Sequence, residues 1–403
     1  MATPLPLEEA QARLLALASP LPVERIDLDS ALGRWLAEPL LARRTQPAAD
    51  LSAMDGYALR ADDLAGPWQV IGESAAGHPY SGALMKGEAA RIATGALLPE
   101  GAGAVVMQEN CARDGEQLTL TDGPVMAGRH IRRKGLDFSV GDVLLGSGAH
   151  IGPAQLALAL SGGHSHVAVH RLPRIAVIDT GDELAADPEN CAPYQIPASN
   201  GAMLAAMLRA VPCEIQRIGP VPDRLDALLT ALGHAEHADV IVTSGGASVG
   251  DHDLLQPALA AWGAKLDFWK VAIKPGKPLL VATCGQGQHR QLVVGLPGNP
   301  VSSYVTAFFF VLPLLRALSG AETPLPRSLP VKLDGNCAAG AERREFIRAW
   351  WDGTTVTPQS QQDSGALSSL AASNALIDRP ANAPAAAEGG DVLVFPFANG
   401  GIA

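Results

Sequence analysis

Between Pro173 and Gly320 the chain alternates two kinds of apolar run. Short unbroken runs at Ile175–Asp179, Cys213–Ile218, Val240–Thr243, Leu266–Ala272, Leu279–Ala282 and Leu292–Gly295 have the length of strands buried on both faces. Runs with helical spacing fall at Ala202–Ala210, Leu225–Leu232, Leu254–Trp262 and Val301–Leu318. Strand alternating with helix predicts a doubly wound α/β unit. The longest uncharged apolar stretch, Val301 to Leu315, contains Pro313 and is too short for a bilayer. With Asn299 as cap and Pro300 at the first helical position, it reads as a buried helix.

The flanking regions follow other patterns. Leu7 to Leu17 places leucines at helical spacing behind Pro6, and Asp29 to Leu36 predicts a second short helix; both suit a scaffold or dimer surface. From Pro47 to about Phe138 short β-like runs (Trp68–Ile71, Glu88–Ile92, Ala104–Gln108, Leu118–Thr121) are broken by Gly and Pro, the pattern of a mostly β insert. Val143 to Gly163 returns to helical spacing, and His164, His166 and His170 precede an expected loop. No third ligand of matching spacing supports a metal there. Pro324, Pro326 and Pro330 mark a linker, after which Leu329–Leu333, Phe346–Trp350 and Val392–Phe395 predict a small β domain. The expected fold class is a multidomain α/β protein of four parts. These are a discontinuous mixed scaffold or dimerisation domain (1–43 and 139–172), a β-rich insert (44–138), a doubly wound catalytic α/β domain (173–322) and a C-terminal β domain (323–403).

Composition narrows the function classes. At 403 residues, 47% apolar and 18% charged, the chain is globular and too long for one ordinary core. A net charge of −11 and a pI near 5.4 argue against nucleic-acid or anionic-membrane partners. The five cysteines form no CxxC pair and read as reduced thiols of a cytoplasmic protein. The opening MATPLPLEEAQAR lacks the basic and apolar regions of a signal peptide.

The candidate chemistry gathers at the predicted strand ends, where open α/β sheets bind ligands. Ile241 to Asp253 reads IVTSGGASVGDHD, a strand, then a turn with Gly245, Gly246 and Ser248, then a helix start at Asp253. Glycines let backbone N–H groups approach an anion, but Asp251 and Asp253 require a cation between them and a phosphate. Mg²⁺ suits that role, with Glu183, Asp223 and Asp253 as carboxylates and Lys270, Lys274 and Lys277 neutralising the remaining phosphate charge. Ser199 and Asn200 lie at another strand end, and GLPGNP (Gly295 to Pro300) offers a second anion cradle. The competing bland reading is a capped loop with solvated lysines. Arg129, Arg132, Arg133 and Lys134 form a solvated face or a phosphate rim. Gly246 to Gly250 formally matches the GxSxG nucleophile elbow, yet only His252 and His289 follow Ser248, which disfavours a hydrolase.

Several stretches in order carry a resemblance. They are SAMDGYA (Ser52 to Ala58), IATGALLPEGAGAVV (Ile92 to Val106), RRKGLDFSVGD (Arg132 to Asp142), TGDEL (Thr180 to Leu184), the glycine turn, FWKVAIKPGKP (Phe268 to Pro278), GLPGNPVSS (Gly295 to Ser303), RREFIR (Arg343 to Arg348) and SGALSSLAASNALI (Ser364 to Ile377). Together they resemble the molybdopterin molybdenumtransferase family, the MoeA type related to the C-terminal domain of gephyrin. The resemblance implies insertion of molybdenum from molybdate into adenylylated molybdopterin with release of AMP. It also implies a four-domain homodimer in which the insert of one subunit faces the α/β domain of the other. It places Asp55, Thr94 and Asp137 at the site from the insert. Glu183, Asp223 and Asp253 would hold Mg²⁺ or the pterin phosphate, Ser248 would lie at the glycine turn, and Lys270 and Lys274 would contact the ligand. Lys277, Pro278, Ser302, Arg348 and Ser364 would surround molybdate. Ala198 departs from the pattern, since relatives often carry a polar or acidic residue there. No adenylyltransferase domain is joined to the chain, so a separate molybdopterin adenylyltransferase and recipient molybdoenzymes are the implied partners. The alternatives are the adenylyltransferase reaction itself and a scaffold on the same fold.

Overall fold

A computed structural model describes residues 4–246, 254–285 and 290–401. Six apolar runs form one sheet: β1 (Arg174–Thr180), β2 (Glu214–Val221), β3 (Val240–Ser244), β4 (Lys265–Trp269), β5 (Leu280–Cys284) and β6 (Gln291–Leu296). The spatial order is β2-β1-β3-β6-β5-β4. The first four strands are parallel, and β5 runs antiparallel to both of its neighbours, β6 and β4. Strand alternation divides the core in two. Ile175, Val177, Val240 and Val242 face α1 (Asn200–Leu208) and the long helix Pro300–Leu318, whereas Ala176, Ile178, Ile241 and Val293 face α2 (Leu225–His234) and α3 (Leu255–Ala261). Helices on both faces bury the inner strands β1, β3 and β6, which is why these runs are continuously apolar, whereas the edge strands β2 and β4 keep exposed positions. The α/β fold class read from the sequence is therefore present.

Helix α4 (Pro300–Leu318) is long and apolar enough to cross a membrane, but 89% of its hydrophobic window is buried inside the protein. A π-helical turn at Ala307–Val311 stacks Phe308 and Phe309 into an aromatic cluster with Phe346 and Phe395 of the C-terminal domain. The N-terminal helix Leu7–Leu17 lays Leu7, Ala10 and Leu14 on this same core, and Gln11 Nε2 donates to the Phe309 carbonyl at 2.9 Å.

The insert folds as a six-stranded sheet, in order 102–107, 56–60, 88–92, 68–74, 117–120 and 111–114. In the C-terminal domain Arg344–Trp351 pairs with both Thr355–Pro358 and Ala375–Arg379, closing a small barrel through Leu329–Leu333 and Asp391–Pro396.

Three sequence expectations are corrected. The helix expected over Asp29–Leu36 is a single 3₁₀ turn, Leu28–Ala31, entered through an Asp27 side chain accepting from the Asp29 amide. Gly33, at φ +79°, turns the chain away, and Leu36 then bridges Val169. The helical spacing from Val143 to Gly163 gives a helix only over Pro153–Ser161, and His166–His170 is a strand that leads into the loop at 171–173; Val167 and Val169 fill a core against Leu28 and Leu36, and the strand pairs with Val23–Asp27. The strand expected over Leu266–Ala272 stops at Trp269, and Ile273–Lys274 instead joins the C-terminal sheet beside Arg344 and Glu345.

Candidate active site

A cleft of about 820 Å³ opens at the C-terminal ends of the parallel strands. Each strand end supplies one part. Thr180, Gly181 and Glu183 follow β1, Asp223 follows β2, Ser244, Gly245 and Gly246 end β3, and Pro297 to Pro300 lead from β6 into α4. Ser199 and Asn200 enter from the start of α1, and Gly365 and Leu367 of the C-terminal domain close one side. Gly245 is required by geometry: its φ is +100°, and a Cβ there would sit 2.5 Å from the Thr180 carbonyl oxygen. Asn200 ties the floor together, donating to Ser244 Oγ at 2.8 Å and to the Gly298 carbonyl at 2.6 Å. Ser248 and Asp253 lie outside the described residues.

The acidic end of the cleft has the donor chemistry for a hard cation. Glu183 and Asp223 line it together, and Asp182 Oδ1 accepts from the Asp223 amide at 3.0 Å. Burial, with the neighbouring charges of Asp182 and Glu183, holds the Asp223 carboxyl above the usual carboxylate range. Among the described residues no group of three acids, histidines or cysteines converges on a metal position. Two carboxylates are enough for Mg²⁺ when phosphate oxygens and water complete its shell.

A second recess of about 370 Å³ adjoins the cleft, and Pro278 lines both. It lies between the KPGKP loop, the start of α4 and the C-terminal barrel, and Lys277, Ser302 and Ser364 line it. Gly276 lets the loop pack against α4, because a Cβ there would meet Thr306 Cγ2 at 2.5 Å. Lys274 lines the recess, paired with Glu345 at 2.7 Å. Lys277 has no ionic partner among the described residues.

The arginine that lines the recess is not Arg348, which the sequence pointed to. Arg348 is 1% exposed and does not line the recess. Its guanidinium donates to the carbonyls of Gln361 and Asp363 at 2.8 and 3.0 Å and to Ser369 Oγ at 3.1 Å, so it holds the loop that forms the wall. Arg343 lines the recess instead, with one contact to the Ile273 carbonyl at 3.3 Å.

Lys270 lines neither cavity; it has a φ of +87°, and its backbone bonds Leu279 and Leu5. Asp55, Thr94 and Asp137 also lie outside both cavities. Asp55 Oδ1 accepts from the Thr94 amide at 2.6 Å, and that bond, with the Thr94 hydroxyl, holds the exposed carboxyl below its usual range. The Asp137 amide donates to the Gln46 carbonyl at 3.0 Å. Asp179, which the sequence reading did not single out, forms part of the cleft.

Three family models match the chain in succession: the MoeA N-terminal region (domain I and II) over residues 5–163, a probable molybdopterin binding domain over 176–317, and the MoeA C-terminal region (domain IV) over 330–397. A molybdopterin molybdenumtransferase from Nostoc sp. is 34% identical, with 98% of this chain and 94% of that protein covered. The chain belongs to the MoeA family of molybdopterin molybdenumtransferases. A Haemophilus influenzae family member is 37% identical, with 78% of each chain covered. The crystal structure of a MoeA protein from Pyrococcus horikoshii superposes with a TM-score of 0.83 at 28% identity, covering 97% of this chain and 99% of that one. A second structure of a MoeA protein from that organism gives 0.79 at 30% identity, covering 97% and 98%. The family model for molybdopterin binding spans the cleft residues from Asp179 to Pro300, and the barrel wall of the recess falls in the MoeA C-terminal region.

Proposed function

We propose that the protein transfers molybdenum from molybdate to adenylylated molybdopterin, releasing AMP and molybdenum cofactor. The single observation that carries this reading is the adjacency of two unlike pockets: a large cleft with apolar walls and an acidic end, and a small cationic recess, meeting at Pro278. The cleft suits a heterocycle joined to a pyrophosphate, and the recess suits a compact dianion.

Glu183 and Asp223, with Asp253, would hold Mg²⁺, which when bound would neutralise the pyrophosphate and polarise it for cleavage. The backbone at Gly246 lines the cleft and would face phosphate oxygens, whereas the Gly245 amide donates to the Leu296 carbonyl at 3.2 Å and the Val301 amide of α4 to the Ser364 carbonyl at 3.1 Å. Lys277, Arg343 and the Ser302 and Ser364 hydroxyls bind molybdate beside the dithiolene, with Lys274 set by Glu345. Water attacks the phosphorus as the P–O bond to AMP breaks, and molybdate then exchanges one oxo group for the two dithiolene sulfurs, that oxygen leaving as water with the two thiol protons, so no protein nucleophile is needed. Asp55, Thr94 and Asp137 complete the site from the insert of a second copy, which makes the working form a homodimer. Lys270 positions the loop before KPGKP. The protein works in the cytoplasm, taking its substrate from a molybdopterin adenylyltransferase and passing its product to molybdoenzymes.

Mixing the protein with adenylylated molybdopterin, molybdate and a cofactor-free molybdoenzyme tests the reading. Activation of the recipient that requires molybdate supports it. Nucleotide binding without activation favours a scaffold.

A further inference from the structure

One carboxyl in the cleft has no part in the reaction described above. Asp179, near the end of β1, is 4% exposed and forms part of the cleft lining. Its Oδ2 accepts the Gly201 amide of α1 at 3.1 Å, while its buried Oδ1 has no partner. Glycine at 201 permits this close approach, because a Cβ there would lie 2.1 Å from Oδ2. No lysine or arginine lies within ion-pair distance of Asp179 among the described residues; burial pushes its acid up to about 6, against the longer-range pull of the Arg217 charge and the Gly201 amide. A buried carboxyl without a cation or a full set of donors is costly, so its retention beside a cleft points to a ligand that supplies what is missing.

The neighbouring groups define the ligand's chemistry. Asn200 spends its amide hydrogens on Ser244 Oγ and the Gly298 carbonyl, which leaves its amide oxygen as the group still available. Ser244 pairs with Asp179 across the sheet, so both side chains lie on the face that α1 covers. This end of the cleft therefore offers acceptors. Leu184, Ile196 and Pro197 supply apolar walls for a flat ring. A phosphate would be repelled by Asp179, whereas N–H donors are matched by it.

We propose that Asp179 and Asn200 read the donor edge of the pterin ring, its adjacent N3–H and 2-amino group, and so fix which way the heterocycle enters. This rests on the cleft being the pterin–nucleotide site. The pterin edge presents two donors side by side. Adenine presents one amine beside a ring-nitrogen acceptor, which a second acceptor would oppose.

Calorimetric titration of the full chain tests the assignment. The wild-type protein should bind 6-hydroxymethylpterin about tenfold or more tightly than the analogue lacking the 2-amino group, because a site built for a donor rejects a ligand without it. AMP and IMP should bind alike. Asp179→Asn should weaken the pterin about tenfold and leave AMP unchanged. Equal binding of the pterin and its desamino analogue overturns the proposal without using any variant. So does an unchanged pterin affinity in a folded Asp179→Asn protein. Loss of AMP affinity in place of pterin affinity assigns the edge to adenine and also overturns it. If neither pterin nor AMP binds the wild-type protein, the reading of the cleft itself fails; if AMP binds and the pterin pair does not discriminate, only the role of Asp179 fails.

Discussion

Asn299 donates an Nδ2 hydrogen to Ser364 Oγ at 3.0 Å, and the Val301 amide donates to the Ser364 carbonyl at 3.1 Å. The start of α4, which walls the cleft, is thereby fastened to the barrel loop that walls the recess. Gly365 continues from Ser364 into the cleft itself. The two substrates of the proposed reaction thus share a wall, and the hydroxyl that accepts from Asn299 keeps its own proton for an oxyanion.

Ser364→Ala removes the bond from Asn299 and that donor, and leaves the backbone bond from Val301. The loss of one hydrogen bond to a charged group, about 1.5–3 kcal/mol, sets the scale, so the molybdate Kd should rise about tenfold or more. Titration of molybdate into the variant measures it. An unchanged Kd would place molybdate elsewhere.

The two arginines should separate by phenotype. Arg343→Ala should weaken molybdate about tenfold or more, the loss of a charge-assisted bond, with little change in unfolding temperature. Arg348→Ala leaves two loop carbonyls and Ser369 without their donor and should cost about 2–3 kcal/mol of stability, seen as an earlier calorimetric transition. Lysine at 348 cannot restore three directed bonds from one ammonium.

How far the sequence was legible follows from the kind of signal each residue carries. The α/β core was readable because its inner strands are buried on both faces, and Ile175–Ile178 or Val240–Val242 cannot be mistaken for surface. The 3₁₀ turn at Leu28 was missed because Gly33 ends an apolar spacing that looks helical. The strand-end glycines and carboxylates were readable as a ligand site, since strand ends are where such sheets bind. Arg343, Arg348 and Asp179 were not separable that way, because which face an arginine takes, and whether an aspartate stands at a strand end in water or beneath a helix, is set by tertiary packing.

Gly245→Ala places a Cβ against the Thr180 carbonyl at a φ that side chains rarely adopt. The strain, about 1–3 kcal/mol, should spread the turn from Thr180 and weaken Mg²⁺–AMP binding about tenfold. Binding as tight as wild type would show that the turn does not hold the phosphate.

Asp179 should leave a signature in the pH dependence of stability. Its folded acid near 6 lies above the ordinary carboxylate value, so between about pH 4 and pH 6 the folded state holds a proton that the unfolded state has lost. Its contribution therefore falls as pH rises through that window and stays low above it. Asp179→Asn should melt higher than wild type at about pH 8, and the two should converge near pH 4. Parallel melting curves at all pH values would show that Asp179 titrates normally.

A site shared between subunits predicts complementation. Asp55→Asn and Asp223→Asn should each be inactive as homodimers. Unfolded and refolded together, they should recover about a quarter of wild-type activity, because half the dimers are mixed and each mixed dimer keeps one intact site. No recovery would put both residues in a site within one chain.

Release of AMP from adenylylated molybdopterin, followed with and without molybdate and Mg²⁺, tests the central claim most directly. The proposed transfer predicts slow release until both are present, then prompt release with arrival of molybdenum in the dithiolene. Release at the same rate without molybdate would contradict a coupled transfer, and formation of adenylylated product from ATP would contradict the direction of the reaction.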